Sequence, residues 1–267
     1  VFEFLRTLLQ QGTRTSRFPG DGDELPERFR GRPALDATRC SSGCRDCVAR
    51  TPSELLHSAR DGTTVLDLGA CLFSPDETLA CPDGAVQYTR DYRLATSTRE
   101  ALVTPSGEVE LARALDHRTR RLFGRSLKLR SVVAGSCNGC EAELVALGNV
   151  VFDLARFGVQ FVASPRHADG IVVTGAVNTN MRHALVRTYE AVPEPKLVIA
   201  VGACAISGGP FHGGAQVANG VSALLPVDLW VPGCPPHPLT ILDGLLRLLG
   251  VIEAGKRSDG ARTVRIS

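Results

Sequence analysis

Three cysteines in the second half of the chain, Cys137, Cys204 and Cys234, each stand just beyond a short apolar run rich in β-branched residues, at 127–134, 197–201 and 227–231. Two further runs of the same kind lie at 159–163 and 170–174. Each is bounded by Gly, Pro, Ser or Asp, a pattern that suits strands buried on both faces. Helical stretches at 140–154, 181–192 and 238–249 fall between and after them. The alternation predicts an α/β domain with a parallel sheet in three layers. In such sheets ligands collect beyond the carboxyl ends of the strands, so folding is expected to bring the three distant cysteines to one edge.

Cys140 completes the set. The local sequences are Ser136-Cys137-Asn138-Gly139-Cys140-Glu141, then Gly202-Ala203-Cys204, then Pro232-Gly233-Cys234-Pro235-Pro236. Four thiols on Gly- or Pro-shaped turns are a complete ligand set for one buried iron–sulfur cluster. Gly139 lets the backbone curl close to sulfur. Cys140 opens a predicted helix, whose positive dipole end favours an anionic centre. Pro235 and Pro236 fix the chain beyond Cys234 and exclude water. Buried structural cysteines and a zinc site are the alternatives, since zinc also accepts four thiolates. Zinc sites generally use two compact pairs, whereas here one pair joins two widely separated singles.

Composition narrows the rest. The 267 residues carry 30 Lys and Arg against 28 Asp and Glu, a net charge of +2 that gives no general pull toward nucleic acid or anionic membrane. Aromatics are 5% of the chain and the arginines are scattered, so no nucleic-acid partner is expected. The Gly-rich stretch 208–214 lacks the Lys-Ser/Thr of a phosphate loop and is expected to wrap the Cys204 side of the site. No secretory leader is evident and no stretch approaches the ~20 apolar residues of a spanning helix, so a cytoplasmic location is expected, soluble or peripheral. Nine cysteines in a reducing compartment read as metal ligands rather than disulfides. Residues 1–10 place Val1, Phe2, Leu5, Leu8 and Leu9 on one helical face, expected to pack on its own domain or a partner, or to lie against a membrane surface.

From about Lys128 to Leu249 the chain resembles the small subunit of energy-converting, group 4 [NiFe] hydrogenases and the homologous cluster-bearing subunit of respiratory complex I. The segments that carry the resemblance are SCNGCEAEL at 136–144, SPRHADGIVVTGAVNTNM at 164–181, VGACAISGG at 201–209 and VPGCPPHP at 231–238. The resemblance implies a flavodoxin-like fold and one [4Fe–4S] cluster held by Cys137, Cys140, Cys204 and Cys234, nearest the active site of a large partner subunit. The complex I subunit typically has two adjacent cysteines where this chain has Cys-x-x-Cys, which leans toward the hydrogenase type. Glu141, beside a ligand, is a candidate for proton transfer, with helix capping or ion pairing as the alternative. Arg166, His167 and Asp169 are read as loop or interface packing, with proton movement or cluster tuning by His167 as the alternative.

The first half has another texture, Arg- and Pro-rich with its cysteines in the middle. The boundaries expected are 1–105, a linker helix within 106–125, read over 108–123, and 126–267. The segments RGRPALDATRC at 30–40 and LDLGACLFSPDETLACPDGAVQYTRDYRLA at 66–95 resemble a two-cluster bacterial ferredoxin, a smaller α+β domain, as found in ferredoxin-like subunits of the same complexes. There the fourth cysteine of each motif ligates the other motif's cluster. Laid on this chain, with one extra residue between Cys40 and Cys44, that rule gives one complete set, Cys40, Cys44, Cys47 and Cys81, and one erased set, Cys71, Ser74, Glu77 and Thr51; the alternative is that the whole domain is a structural relic. Cys71 is then a packed free thiol.

Two [4Fe–4S] clusters are therefore expected in an electron-transfer subunit that relays single electrons to or from the catalytic large subunit of a membrane-associated hydrogenase-like complex. Its partners would be a hydrogenase-type or complex I-type large subunit, a further iron–sulfur or redox donor subunit and membrane subunits, on the inner face of the cell membrane. The alternatives are a complex I-like or hydrogenase-related oxidoreductase without nickel that uses quinone or another acceptor, and a zinc-stabilised assembly or scaffold protein.

Overall fold

The computed structural model describes residues 2–19, 25–36, 38–39, 46–51, 53–58, 63–123 and 126–252. Cys40 and Cys44 lie outside the described residues. The first half holds helix α1 (Phe2–Gln11), strand β1 (Pro33–Leu35), α2 (Asp46–Arg50), β2 (Leu56–Ser58), β3 (Thr64–Asp67), α3 (Pro75–Leu79), β4 (Val86–Tyr88) and β5 (Val103–Thr104). A strand–helix–strand unit thus occurs twice, β1–α2–β2 and β3–α3–β4. The outer strands β1 and β4 pair antiparallel, as do the inner strands β2 and β3, and β5 extends the inner pair.

The second half begins with α4 (His117–Phe123) and continues through β6 (Leu127–Val133), α5 (Gly139–Ala146), β7 (Val159–Phe161), β8 (Gly170–Thr174), α6 (Thr179–Glu190), β9 (Leu197–Val201), α7 (Ala203–Ser207), β10 (Leu229–Val231) and α8 (Pro238–Leu248). Its five strands are all parallel, in the order β10-β9-β8-β6-β7. Alternate residues face opposite layers. Val172, Leu197, Ile199, Leu229 and Val231 pack with Leu144 of α5 and the apolar face of α8, while Ile171, Val173, Val198, Ala200 and Trp230 pack with Leu185 of α6 and with α7. Gly170 is required where β8 meets β9, because a Cβ there would stand 2.6 Å from the Leu197 carbonyl oxygen.

The two textures of the sequence share a core. Leu55, Leu66, Leu68 and Leu102 pack in the same buried group as Ile171, Val198 and Trp230. Thr96 exchanges backbone hydrogen bonds with Trp230 at 3.0 and 2.9 Å, which covers the outer edge of β10.

Three expectations change. The helix read over 108–123 is restricted to α4. Upstream of it the backbone bonds outward, Ala112 N–H to the Ala95 carbonyl and Leu115 N–H to the Leu248 carbonyl, so the segment is an extended strap. The helix read over 140–154 ends at Ala146, where Asn149 accepts from the Val151 and Phe152 amides and turns the chain. Helix α1 forms, but none of its residues is buried, and Phe2, Phe4, Leu5, Leu8 and Leu9 are exposed, so it does not pack on its own domain. Among the described residues no helix is long and apolar enough to cross a membrane.

Candidate metal centre

The parallel strands deliver the thiols as their order requires. Cys137 leaves β6, which lies between β7 and β8 where the strand order reverses, and Cys204 and Cys234 leave β9 and β10 at the same edge. The Cys204 and Cys234 turns are tied together: Gly202 N–H bonds the Val231 carbonyl at 2.9 Å and Ala203 N–H bonds the Gly233 carbonyl at 2.8 Å. Cys140 and Cys204 each occupy the second position of a helix, which turns the positive helix ends toward the site.

Glycine makes the approach of sulfur to backbone attainable. Gly202 has φ +90°, and a Cβ on it would lie 2.5 Å from Cys140 Sγ. Gly209 has φ +53°, and its Cβ would lie 3.0 Å from Cys204 Sγ, so the Gly-rich segment does wrap that thiol. Gly139 sits between Cys137 Sγ and Pro235, each just under 4 Å from its Cβ position.

Cys140 and Cys204 are buried, Cys234 is half-buried and Cys137 is exposed. Burial pushes the Cys204 thiol up to about 11, with Cys234 and Cys137 adding to the rise. Burial likewise raises Cys140, assisted by Glu141 and the other three thiols, and raises Cys234, assisted by Cys137 and Glu77. The four sulfurs therefore feel one another, and four thiolates can coexist there only around a cationic centre. Among the described residues no three His, Cys, Asp or Glu side chains are drawn together tightly enough to ligate a single ion. Four thiolates can hold one zinc ion, bound at ~2.3 Å, or a cluster that gives each thiolate its own iron. The donor set fits a cluster.

Glu141 clamps the Cys137 loop. One carboxylate oxygen accepts from Ser136 Oγ at 2.8 Å and the other from the Thr174 hydroxyl at the end of β8, while Ser136 Oγ also accepts from the Asn138 amide at 3.2 Å. Arg166, His167 and Asp169 lie at the opposite edge of the sheet. Asp169 accepts from the Lys128 amide at 2.7 Å and precedes β8, so this loop packs strand entrances and does not reach the thiols.

In the first half, Cys47 is buried, and the half-buried Cys81 packs against the same group of side chains, with the Ala85 amide pointing at Cys81 Sγ at 3.3 Å. The other two members of that set, Cys40 and Cys44, fall outside the described residues. Cys71 is fully buried. Its thiol lies 3.4 Å from a carboxylate oxygen of Glu77 and 3.6 Å from the Tyr88 hydroxyl. Tyr88 carries no motif, and only the polar replacements at positions 74 and 77 hint in sequence that something other than sulfur fills that space.

Comparison with known proteins places the second half. The family described as NADH ubiquinone oxidoreductase, 20 Kd subunit, matches residues 137–248. Formate hydrogenlyase subunit 7 of Escherichia coli is 45% identical over 129 residues, 48% of this chain and 51% of that protein. The NADH-quinone oxidoreductase of Bacteroides thetaiotaomicron has a component that is 47% identical over 140 residues, 52% of this chain and 70% of that protein. The probable membrane-bound hydrogenase subunit mbhJ of Pyrococcus furiosus is 43% identical over 129 residues, 48% of this chain and 77% of that protein. The chain spans about half the length of the first of these relatives. With all four thiols inside the matched segment, and two relatives covered over more than two thirds of their length, the chain belongs to the NADH ubiquinone oxidoreductase 20 Kd subunit family.

Proposed function

We propose that this chain is the electron-transfer subunit of a membrane-associated hydrogenase-like oxidoreductase, holding one [4Fe–4S] cluster on Cys137, Cys140, Cys204 and Cys234 and a second on Cys40, Cys44, Cys47 and Cys81. The observation that carries it is the convergence of four mutually interacting thiols at the carboxyl edge of a five-stranded parallel sheet. The strand order, 2-1-3-4-5 when these five are counted from β6, supports a flavodoxin-like domain over 126–267. The paired strand–helix–strand units support a ferredoxin-like region over 1–105.

A bound cluster supplies one-electron transfer. The chain's own residues would hold and orient it: Gly202 and Gly209 admit the sulfurs, Pro235 and Pro236 stiffen the Cys234 turn, and Glu141 fixes the Cys137 loop through Ser136 and Thr174. We assign Glu141 this positioning role ahead of proton transfer, because both of its oxygens are engaged. A large catalytic subunit and membrane subunits are the partners the relatives suggest, with the assembly on the inner face of the membrane.

Anaerobic reconstitution of the full chain, followed by iron analysis and electron paramagnetic resonance, is expected to give about eight irons and two [4Fe–4S] signals. About four irons would remove the N-terminal station. Cys234→Ser is expected to abolish one signal and Cys81→Ser the other, while Cys71→Ser leaves both; equal effects of the last two would sink the crossed ligand assignment. A second reading, a nickel-free complex that passes electrons to a quinone-type acceptor, draws on the NADH-quinone oxidoreductase relative at 47% identity. Nickel analysis of the purified complex separates the two.

A further inference from the structure

The erased ferredoxin position is filled by a buried carboxylate. Glu77 has no exposed surface. It accepts from the Leu72 amide at 2.9 Å and the Ser74 amide at 3.0 Å, and from the Ser53 and Tyr88 hydroxyls, with the Cys71 thiol at 3.4 Å. Tyr88 is stacked on Phe73, ring centres 5.9 Å apart. Donors that converge in this way are what a carboxylate needs to persist in a dry interior. Burial, with the Glu77 charge added, pushes the Cys71 thiol up, and the Tyr88 hydroxyl is raised by burial, Cys71 and Glu77, so both stay neutral donors.

The loop that wraps Glu77 also meets the elements that carry Cys204 and Cys234. Ser207 Oγ donates to the Gly69 carbonyl at 3.1 Å, and a Cβ on Gly69 would meet Ile206 at 2.6 Å, so this segment rests on the helix that carries Cys204. Phe73 lines a cavity of about 250 Å³ together with Pro232, Gly233 and Cys234. The Glu77 carboxylate, bonded to the amides of Leu72 and Ser74 on either side of Phe73, therefore stands directly behind the wall that faces Cys234.

We propose that Glu77 sets the electrostatics of the C-terminal site: a buried anion standing where a second cluster was lost, which lowers the one-electron reduction potential of the cluster on Cys137, Cys140, Cys204 and Cys234. This rests on the cluster reading given above. Reduction adds one electron, hence one negative charge, to the cluster. A fixed negative charge close by, shielded from salt and water, opposes that gain, and net charge is one of the determinants of such potentials.

The test is a redox titration of the reconstituted full chain, followed by electron paramagnetic resonance, for wild type, Glu77→Gln and Glu77→Asp, with iron loading measured for each. Glu77→Gln is expected to shift the C-terminal midpoint to a more positive value. Glu77→Asp keeps the charge and is expected to stay near wild type. An unmoved potential in Glu77→Gln, or an equal upward shift in Glu77→Asp, would overturn the proposal. If Glu77→Gln does not fold, Tyr88→Phe carries the test at alkaline pH: losing a donor leaves the charge less compensated, so a downward shift supports the proposal and no shift or an upward one refutes it. A wild-type chain that takes up no C-terminal cluster overturns the cluster reading and this proposal together, whereas a loaded cluster indifferent to Glu77 overturns this proposal alone.

Discussion

At the residue scale the site is governed by backbone room as much as by sulfur. The four ligand candidates are legible because thiols on Gly and Pro turns after apolar runs form a local pattern. The glycine that matters most, Gly202, reads in sequence only as a turn residue. Its φ of +90° and the 2.5 Å approach of Cys140 Sγ to its Cβ position emerge when β6 and β9 deliver two loops to one edge. Gly202→Ala is accordingly expected to abolish C-terminal cluster retention while leaving the N-terminal signal, read by iron content and electron paramagnetic resonance of the reconstituted protein. A variant that loads like wild type would show that the loop relaxes freely. Gly213, with φ +73° but nothing within 4 Å of its Cβ position, is the control, costing only the strain of a left-handed alanine.

Among the elements, α8 ties the halves of the molecule together. Its apolar face lies under the sheet, and Ala95 of the first half packs against Gly244. Asp243 and Arg247, one helical turn apart, form a 2.8 Å ion pair with both side chains only 3% exposed. Burial raises the Asp243 carboxyl, and the hydrogen bond and charge of Arg247 oppose that rise. Asp243→Ala takes the carboxylate away from a buried guanidinium and is expected to cost ~3–5 kcal/mol, whereas Asp243→Leu combined with Arg247→Met should be nearly neutral. Thermal midpoints of the three proteins check this; a single variant as stable as the double would mean that the remaining surroundings of Arg247 suffice to hold its charge. The spacing of this pair is visible in sequence, its burial is not. The strap at 108–116 reads as helix for a related reason: its charged, helix-tolerant residues carry no sign that their amides bond Ala95 and Leu248 instead of one another.

For the whole molecule, the buried thiols link stability to pH. Cys204 rises from 9.0 to about 11 on folding, and Cys71, Cys140 and Cys234 rise with it. Between pH 9 and about 11 the folded chain without cluster therefore holds more protons than the unfolded one, so its stability is full below 9 and falls as pH rises through that window. The loaded protein, whose C-terminal thiols are already deprotonated on iron, should lose less over the same range. Thermal midpoints of both forms from pH 8 to 11 test the difference, and parallel curves would contradict it. Local runs and residue types are enough to prescribe the parallel sheet and the gathering of Cys137, Cys140, Cys204 and Cys234 at one edge, because strand burial and ligand chemistry are written residue by residue. Packing alone settles that the two halves share one core, that His167 lies at the edge remote from the thiols, and that the loop holding Glu77 meets the Cys204 and Cys234 turns, because each depends on which distant surfaces meet once the chain is folded.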